Sequence, residues 1–548
     1  MGEPLAAAAE AAGGLAVYGA GAVDGGAPAA TRQALVDAGV PGRLAAKDPT
    51  LWGPAAAGAR AGLGWVDTHR RSRELLPQLA ELTAELADLD HVVLAGPGDA
   101  SLAPEVIART TGRPLTVLDS TDPGQVRATL ADRLTRTVVV LAGRSGTVET
   151  DSHRRAYWSA FLDAGMTEAE AGRHFVVVTD PGSPLEAVAA ELGAITVFAD
   201  PEVAGRYSAL TAFGLVPCAL AGVPVADLLD QAEAFAATLD RADGNPGLAL
   251  GAALAAAATA GRDKIALVPD GTGIEGLGDW VEQLLAESTG RDGRGLLPVV
   301  VESPDSPGLT GPDVLAVSYG GALAAGAVPA PGAAPDIAVN GPLGAHFLAW
   351  EYATAVAATV LGVDPFAQPD VTVAEGHTAA ILAADSPPAP APSSTEGAIE
   401  VYPPAGAPGD LAGALRHLLA GVGDAGYLAV TAYLDRQADA VAARLRPLLA
   451  EVTGRPVTFG WGPRHRHSTG RYHTDGPRVG SFLQVTGAVD VDLPVPGEPY
   501  CFGELQAAQA AGDRRALAGR ERPLLRLHLT ERSAGLAQLL DAAGSLRA

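Results

Sequence analysis

The stretch His91–Arg109 reads as a device for holding an anion. Val92, Val93 and Leu94 form a short apolar run, Gly96 and Gly98 allow a tight turn, and Leu102, Val106 and Ile107 recur at helical spacing. Strand, glycine turn and helix start together aim backbone N–H groups at one spot, which favours negative charge there. Asp99 or Ser101 is placed to cap the helix, so Gly98, Asp99 and Ser101 are the candidate ligand contacts. A second loop, residues 143–150, follows the apolar run at 138–141 and carries Arg144, Ser145, Thr147 and Glu149. Its cation and hydroxyls suit the same anion. Asp99 argues the other way, because two like charges about 4 Å apart cost on the order of 4 kcal/mol at intermediate dielectric. A third polar stretch holds His465, His467 and His473. With no cysteine partners, it reads as a polar or substrate-facing surface loop before a metal set.

The elements that position these loops are legible from periodicity. Apolar strands at 92–94, 115–118, 137–142, 175–179 and 195–198 alternate with helices at 125–134, 151–165 and 184–192. That rhythm predicts a parallel sheet covered on both faces, with ligands beyond the carboxyl ends of its strands. The loops after 92–94, 138–141 and 195–198 then face one crevice. Residues 207–262 read as helical throughout. The rhythm returns with strands at 264–268, 298–301, 314–318 and 336–340, and helices at 280–287 and 345–361. A Pro/Ser-rich linker at 386–396 precedes a third unit. Its strands are expected at 427–433, 457–460 and 481–485, with a helix at 437–452 and another ending at Leu539 and Leu540. The division is a lead-in at 1–59, a first unit at 60–261 with a helical extension, a second at 262–385, the linker, and a C-terminal α/β unit at 397–548.

Bulk properties narrow the function classes. The 548 residues suit three or four domains, and 48% hydrophobic with 18% charged residues describes an ordinary globular chain. A net charge of −25 excludes nucleic acid and anionic membranes as partners, since phosphate polymers need clustered Lys and Arg. Cys218 and Cys501 lie far apart in apolar contexts, which predicts buried free thiols in a reducing compartment. No basic N-terminal region precedes an apolar core, so no signal peptide is read. Ala-rich runs such as 248–260 are too short for a membrane span. A cytoplasmic protein is expected.

Four stretches in order resemble the glucose-6-phosphate isomerase family, built from two sugar isomerase (SIS) domains, in its actinobacterial transaldolase-associated branch. Residues 203–215 (VAGRYSALTAFGL) resemble its V-G-G-R-[YF]-S…G-L signature, and Ala286–Gly290 (AESTG) its E-S-x-G-K stretch. Gly344–Phe347 (GAHF) is similar to G-Q-H-[SA]-F, and Asp364–Pro369 (DPFAQP) to N-P-F-D-Q-P. The resemblance implies two doubly wound parallel-sheet SIS domains plus a smaller C-terminal α/β unit. It also implies aldose–ketose isomerisation through an enediol, with no cofactor and no metal. Such chemistry needs a base, a cation for the developing enolate and an acid/base that opens the ring. By resemblance Glu287 is the base, Arg206 the cation, with Gly205 beside it, and His346 the ring-opening group. In the family that histidine comes from the neighbouring subunit, which implies a homodimer.

The departures are one-sided. The phosphate loop G-x-G-G-S-x-L here reads Gly96-Pro97-Gly98-Asp99-Ala100-Ser101-Leu102, with Asp99 in place of a Gly and Ala100 in place of the phosphate-binding Ser. The second loop keeps Thr147, Glu149 and Thr150 but loses the leading Ser and Lys, unless one gap places Arg144 and Ser145 there. Glu375 lies where a lysine is expected, and Thr474 replaces another in the stretch 467–477. Enediol groups are kept while phosphate groups are lost. The expectation is an isomerase-like enzyme acting by proton abstraction next to a carbonyl, on an unphosphorylated or amino sugar. An ordinary glucose-6-phosphate isomerase and a non-catalytic sugar-binding protein are the alternatives.

Overall fold

The computed structural model describes residues 9–53, 62–144, 146–324, 335–367, 372–384 and 391–547. Its strands form three sheets. The first has five parallel strands in the order Thr116–Leu118, His91–Ala95, Thr137–Ala142, Phe175–Thr179, Ile195–Phe198. Val138 to Ala142 have no exposed surface. That is why this strand is a run of apolar residues without alternation: helices cover both faces. The chain runs from His91–Ala95 to one neighbour and then crosses to the other, so the crevice opens between His91–Ala95 and Thr137–Ala142. The two loops read as anion-holding leave these two strands. They touch closely: a Cβ on Gly96 would lie 2.5 Å from the Ala142 carbonyl oxygen.

The second sheet runs Glu10–Ala12, Leu15–Tyr18, Ile337–Asn340, Val314–Gly320, Lys264–Pro269, Leu297–Val300. Its last four strands are parallel, and the N-terminal hairpin is antiparallel to Ile337–Asn340. Residues read as a lead-in thus extend this sheet, burying Leu15 and Val17. One apolar core runs from Val92 and Val138 through Trp65, Tyr207 and Trp280 to Val317 and Val339. The first two units are therefore packed as one body around the Leu277–Thr289 helix.

The third sheet runs Ser394–Glu396, Ile399–Tyr402, Leu524–Leu529, Gly480–Gly487, Tyr427–Tyr433, Val457–Trp461 and encloses a separate core. Three of these strands escape the sequence reading, as do the Leu411–Ala420 and Phe502–Ala518 helices. Ser394–Glu396 falls inside the expected linker: a three-residue polar edge strand carries no periodicity. Residues 386–390 of that linker lie outside the described residues. The helix expected over 437–452 is a 3-10 turn at Ala440–Arg444 followed by Leu445–Thr453. This unit docks through charge. Arg464 pairs with Glu105 and Asp119, Arg436 with Glu105 at 2.9 Å, and Arg532 with Asp122 at 2.8 Å.

Among the described residues no helix is long and apolar enough to cross a membrane. Cys218 is buried, but Cys501 is half-exposed, against the expectation of two buried thiols. It sits at the entry to the Phe502–Ala518 helix, where its backbone N–H meets Glu504.

Candidate active site

Glu287 sits near the end of the Leu277–Thr289 helix, a segment buried along nearly its whole length. Its side chain is 1% exposed, and its Oε2 has no hydrogen-bond partner. Burial and the nearby Asp99 carboxylate push its acid well above the usual carboxylate range, against the pull of Arg206 and Arg471. Arg206 comes from the turn Gly205–Tyr207, which follows the last strand of the first sheet. Its Nη1 stands 3.8 Å from Glu287 Oε2. Nε donates to Ser288 Oγ at 3.0 Å, and Nη2 donates to the carbonyls of Pro365 at 2.5 Å and Ala367 at 3.0 Å. The guanidinium is thus clamped beside Glu287 without being neutralised by a hydrogen bond to it. Arg291 donates to the same Ala367 carbonyl at 3.2 Å. Burial, with Arg471 and Arg206 nearby, lowers its pKa to about 10. A buried base beside a fixed cation can move a proton next to a carbonyl and hold the oxyanion that results.

The glycine-rich loop supplies a third group. Asp99 Oδ1 accepts from Gln283 Nε2 at 2.7 Å, four residues before Glu287 on the same helix. A Cβ on Gly205 would lie 2.4 Å from Asp99 Oδ2, so only glycine leaves room for the carboxylate. His467 enters from the C-terminal unit and lies over Gly98, where an added Cβ would come within 2.5 Å of its own Cβ. Ligand atoms of Asp99, Glu287 and His467 all fall within 4.8 Å of one another.

Other expected contacts are placed differently. Neither Asp99 nor Ser101 caps its helix: Pro97 is at the N-cap, with no side-chain cap. Ser101 is fully buried and donates to Asp119 Oδ2 at 3.2 Å, which places it in the Arg464 charge network. Arg144 is engaged by protein groups. It donates to the Val203 carbonyl and pairs with Asp180 at 3.0 Å, a nearer source of negative charge. Thr147 caps its own helix through Thr150 N–H. Ser145 lies outside the described residues. Glu149 Oε1 accepts from Gln509 Nε2, and Arg466 Nη1 is 4.0 Å away. Glu375 is half-buried; burial and Glu149 raise its pKa, and His467 and Arg466 lower it. His346 is fully buried, with Nε2 on the Gly320 carbonyl at 2.8 Å and Nδ1 without a partner. Burial lowers its pKa to about 4, against the Gly320 carbonyl and the charge of Asp270.

The loop at 464–475 is no surface loop: His465 and His473 are buried, because the C-terminal unit lies on the crevice. Sequence reasoning passed over Gln283, Gln509, Arg466 and Arg471. Gln283 had a signal, being an uncharged polar residue one turn from Glu287 and so on the same face of the helix. Gln509 had none, since its helix was not seen.

No protein-family model matches the chain. It is 35% identical over 225 residues to a probable glucose-6-phosphate isomerase of Haloarcula marismortui, covering 40% of this chain and 51% of that protein. It is 29% identical over 214 residues to the glucose-6-phosphate isomerase of a Cyanothece species, covering 37% and 40%. The match therefore spans about half the length of these relatives. The solved glucose-6-phosphate isomerase of Chlamydia trachomatis aligns over 69% of this chain and 90% of that one, with a TM-score of 0.55 and 16% identity. That likeness is one of fold.

Proposed function

From the premise that this chain is a relative of the glucose-6-phosphate isomerases, we propose that it is an aldose–ketose isomerase. The buried Arg206–Glu287 pair, 3.8 Å apart and not hydrogen-bonded, carries this reading. Glu287 takes the proton from the carbon next to the carbonyl and returns it to the neighbouring carbon. Arg206 steadies the enediolate between the two steps. A carboxyl raised by burial is a stronger base once ionised, which suits abstraction of a weakly acidic C–H proton.

The substrate in this reading is an unphosphorylated or amino sugar. Asp99 stands in the loop where a phosphate would lie, Arg144 is turned to Asp180, and Thr147 caps its own helix. Glu149 and Glu375 add two carboxylates on the same side. Hydroxyls or an ammonium suit such surroundings, and a phosphate dianion is repelled. The names of the relatives favour the second reading, isomerisation of glucose 6-phosphate itself. The homodimer rests on the resemblance alone, and light scattering on the purified protein tests it.

Turnover assays with glucose 6-phosphate, fructose 6-phosphate, their unphosphorylated counterparts and glucosamine test both readings. Robust turnover of the phosphorylated pair supports the second. Turnover confined to unphosphorylated sugars supports the first. No turnover on any of them, with the protein folded, overturns the isomerase proposal.

A further inference from the structure

We propose that Asp99, Glu287 and His467 form a binding site for a divalent metal ion of the manganese or zinc class. The three side chains come from the first, second and C-terminal units, yet their ligand atoms lie within 4.8 Å of one another. Ligand atoms about 2.1 Å from a common ion stand roughly 3–4 Å apart, so small side-chain rotations complete the set. Two carboxylate oxygens and one imidazole nitrogen are the donors that borderline divalent ions take.

Four observations support a built site. Glu287 Oε2 is buried at 1% residue exposure and has no hydrogen bond. Gln283 Nε2 holds Asp99 Oδ1 at 2.7 Å, as an outer group orients a metal-ligating carboxylate. Gly205 and Gly98 leave the space that the Asp99 carboxylate and the His467 side chain fill. The turn bearing His467 is anchored by two arginines: Arg464 to Glu105 and Asp119, and Arg466 to Asp513 and the Gln509 carbonyl, both at 2.6 Å. Arg206 and Arg471 are the opposing cations, and the bonds of Arg206 to Ser288, Pro365 and Ala367 hold it beyond hydrogen-bond reach of Glu287. A bound ion compensates two carboxylates that otherwise repel each other, the buried Glu287 and the half-buried Asp99.

The proposal shares Glu287 with the isomerase reading but does not need it. An ion on Glu287 withholds the carboxylate from proton transfer, so loading and turnover compete.

The test is titration of the EDTA-treated, desalted full chain with Mn²⁺, with free ion followed by its EPR signal. One saturable ion per chain is expected, weakened at least tenfold by Asp99→Asn and by His467→Ala and also weakened by Gln283→Ala. Thermal melts establish that the variants fold. Absence of saturable binding up to millimolar Mn²⁺ overturns the proposal. So does wild-type affinity in Asp99→Asn and His467→Ala, which would place the ion on the acidic surface. Isomerase turnover measured in EDTA, with and without Glu287→Gln, reports separately on the proposed activity.

Discussion

Asp99 Oδ1 accepts a 2.7 Å hydrogen bond from Gln283 Nε2, which ties the glycine-rich loop to the helix that carries Glu287. An acidic residue in a loop that resembles a phosphate site is thereby made part of the surroundings of Glu287. Its charge raises the Glu287 carboxyl, after burial itself. A base must be ionised to act, so the acid limb of the kcat/KM–pH profile lies above the ordinary carboxylate range. Asp99→Asn removes a negative neighbour and lowers the Glu287 pKa, and that limb moves to lower pH. A limb that stays put, or moves up, contradicts the coupling.

Glu287→Gln keeps the shape of the site and removes the proposed base. Turnover is expected to fall about 10²–10⁴-fold, with substrate affinity little changed. Arg206→Lys keeps the charge but loses the fork that reaches Ser288, Pro365 and Ala367. Its kcat is expected to drop about 10²-fold, and its melting temperature should drop as well. Steady-state kinetics and calorimetry check the pair.

Asp99→Gly combined with Ala100→Ser rebuilds the G-x-G-G-S-x-L pattern that the loop resembles. If repulsion by Asp99 is what keeps phosphate out, kcat/KM for glucose 6-phosphate rises while that for the unphosphorylated sugar does not. No gain would locate the obstacle elsewhere, first at Arg144, which Asp180 holds at 3.0 Å.

Glu351 is fully buried in the Leu343–Leu361 helix, and neither of its carboxylate oxygens has a hydrogen bond. Burial alone raises its pKa well above the usual range. The unfolded chain releases this proton near pH 4, and the folded chain resists release until much higher pH. Its contribution therefore falls as pH rises above the unfolded pKa. Glu351→Met is expected to stabilise the protein by roughly 1–3 kcal/mol at neutral pH. Melting curves should show the gain shrinking toward about pH 4.

Arg464 joins the C-terminal unit to Glu105 and Asp119 of the first. Arg464→Met takes the arginine from buried Asp119, leaving it the Ser101 hydroxyl, and leaves Glu105 with Arg436 alone, a loss of about 3 kcal/mol. The interface should loosen before the sheets unfold. Limited proteolysis is expected to cut first near the turn bearing His467, and a melt with an early separate transition would agree.

The sequence by itself determined the local elements. Runs of Val, Leu and Ile between helical periods place the strands of the first sheet and the four parallel strands of the second to within about two residues, because burial on both faces selects apolar residues locally. Through the family resemblance it also singled out Glu287 and Arg206, which the structure brings to 3.8 Å of each other. Where the polar groups point was decided only by the tertiary structure. Arg144 turns to Asp180, Ser101 to Asp119 and Glu149 to Gln509, and His467 arrives beside Asp99 from more than three hundred residues away. Long polar side chains take whichever partner chain closure brings nearest, and local periodicity carries no record of that choice. The N-terminal hairpin on the second sheet and the polar strand Ser394–Glu396 were hidden for the same reason. Each is held by backbone pairing with a distant or weakly patterned neighbour.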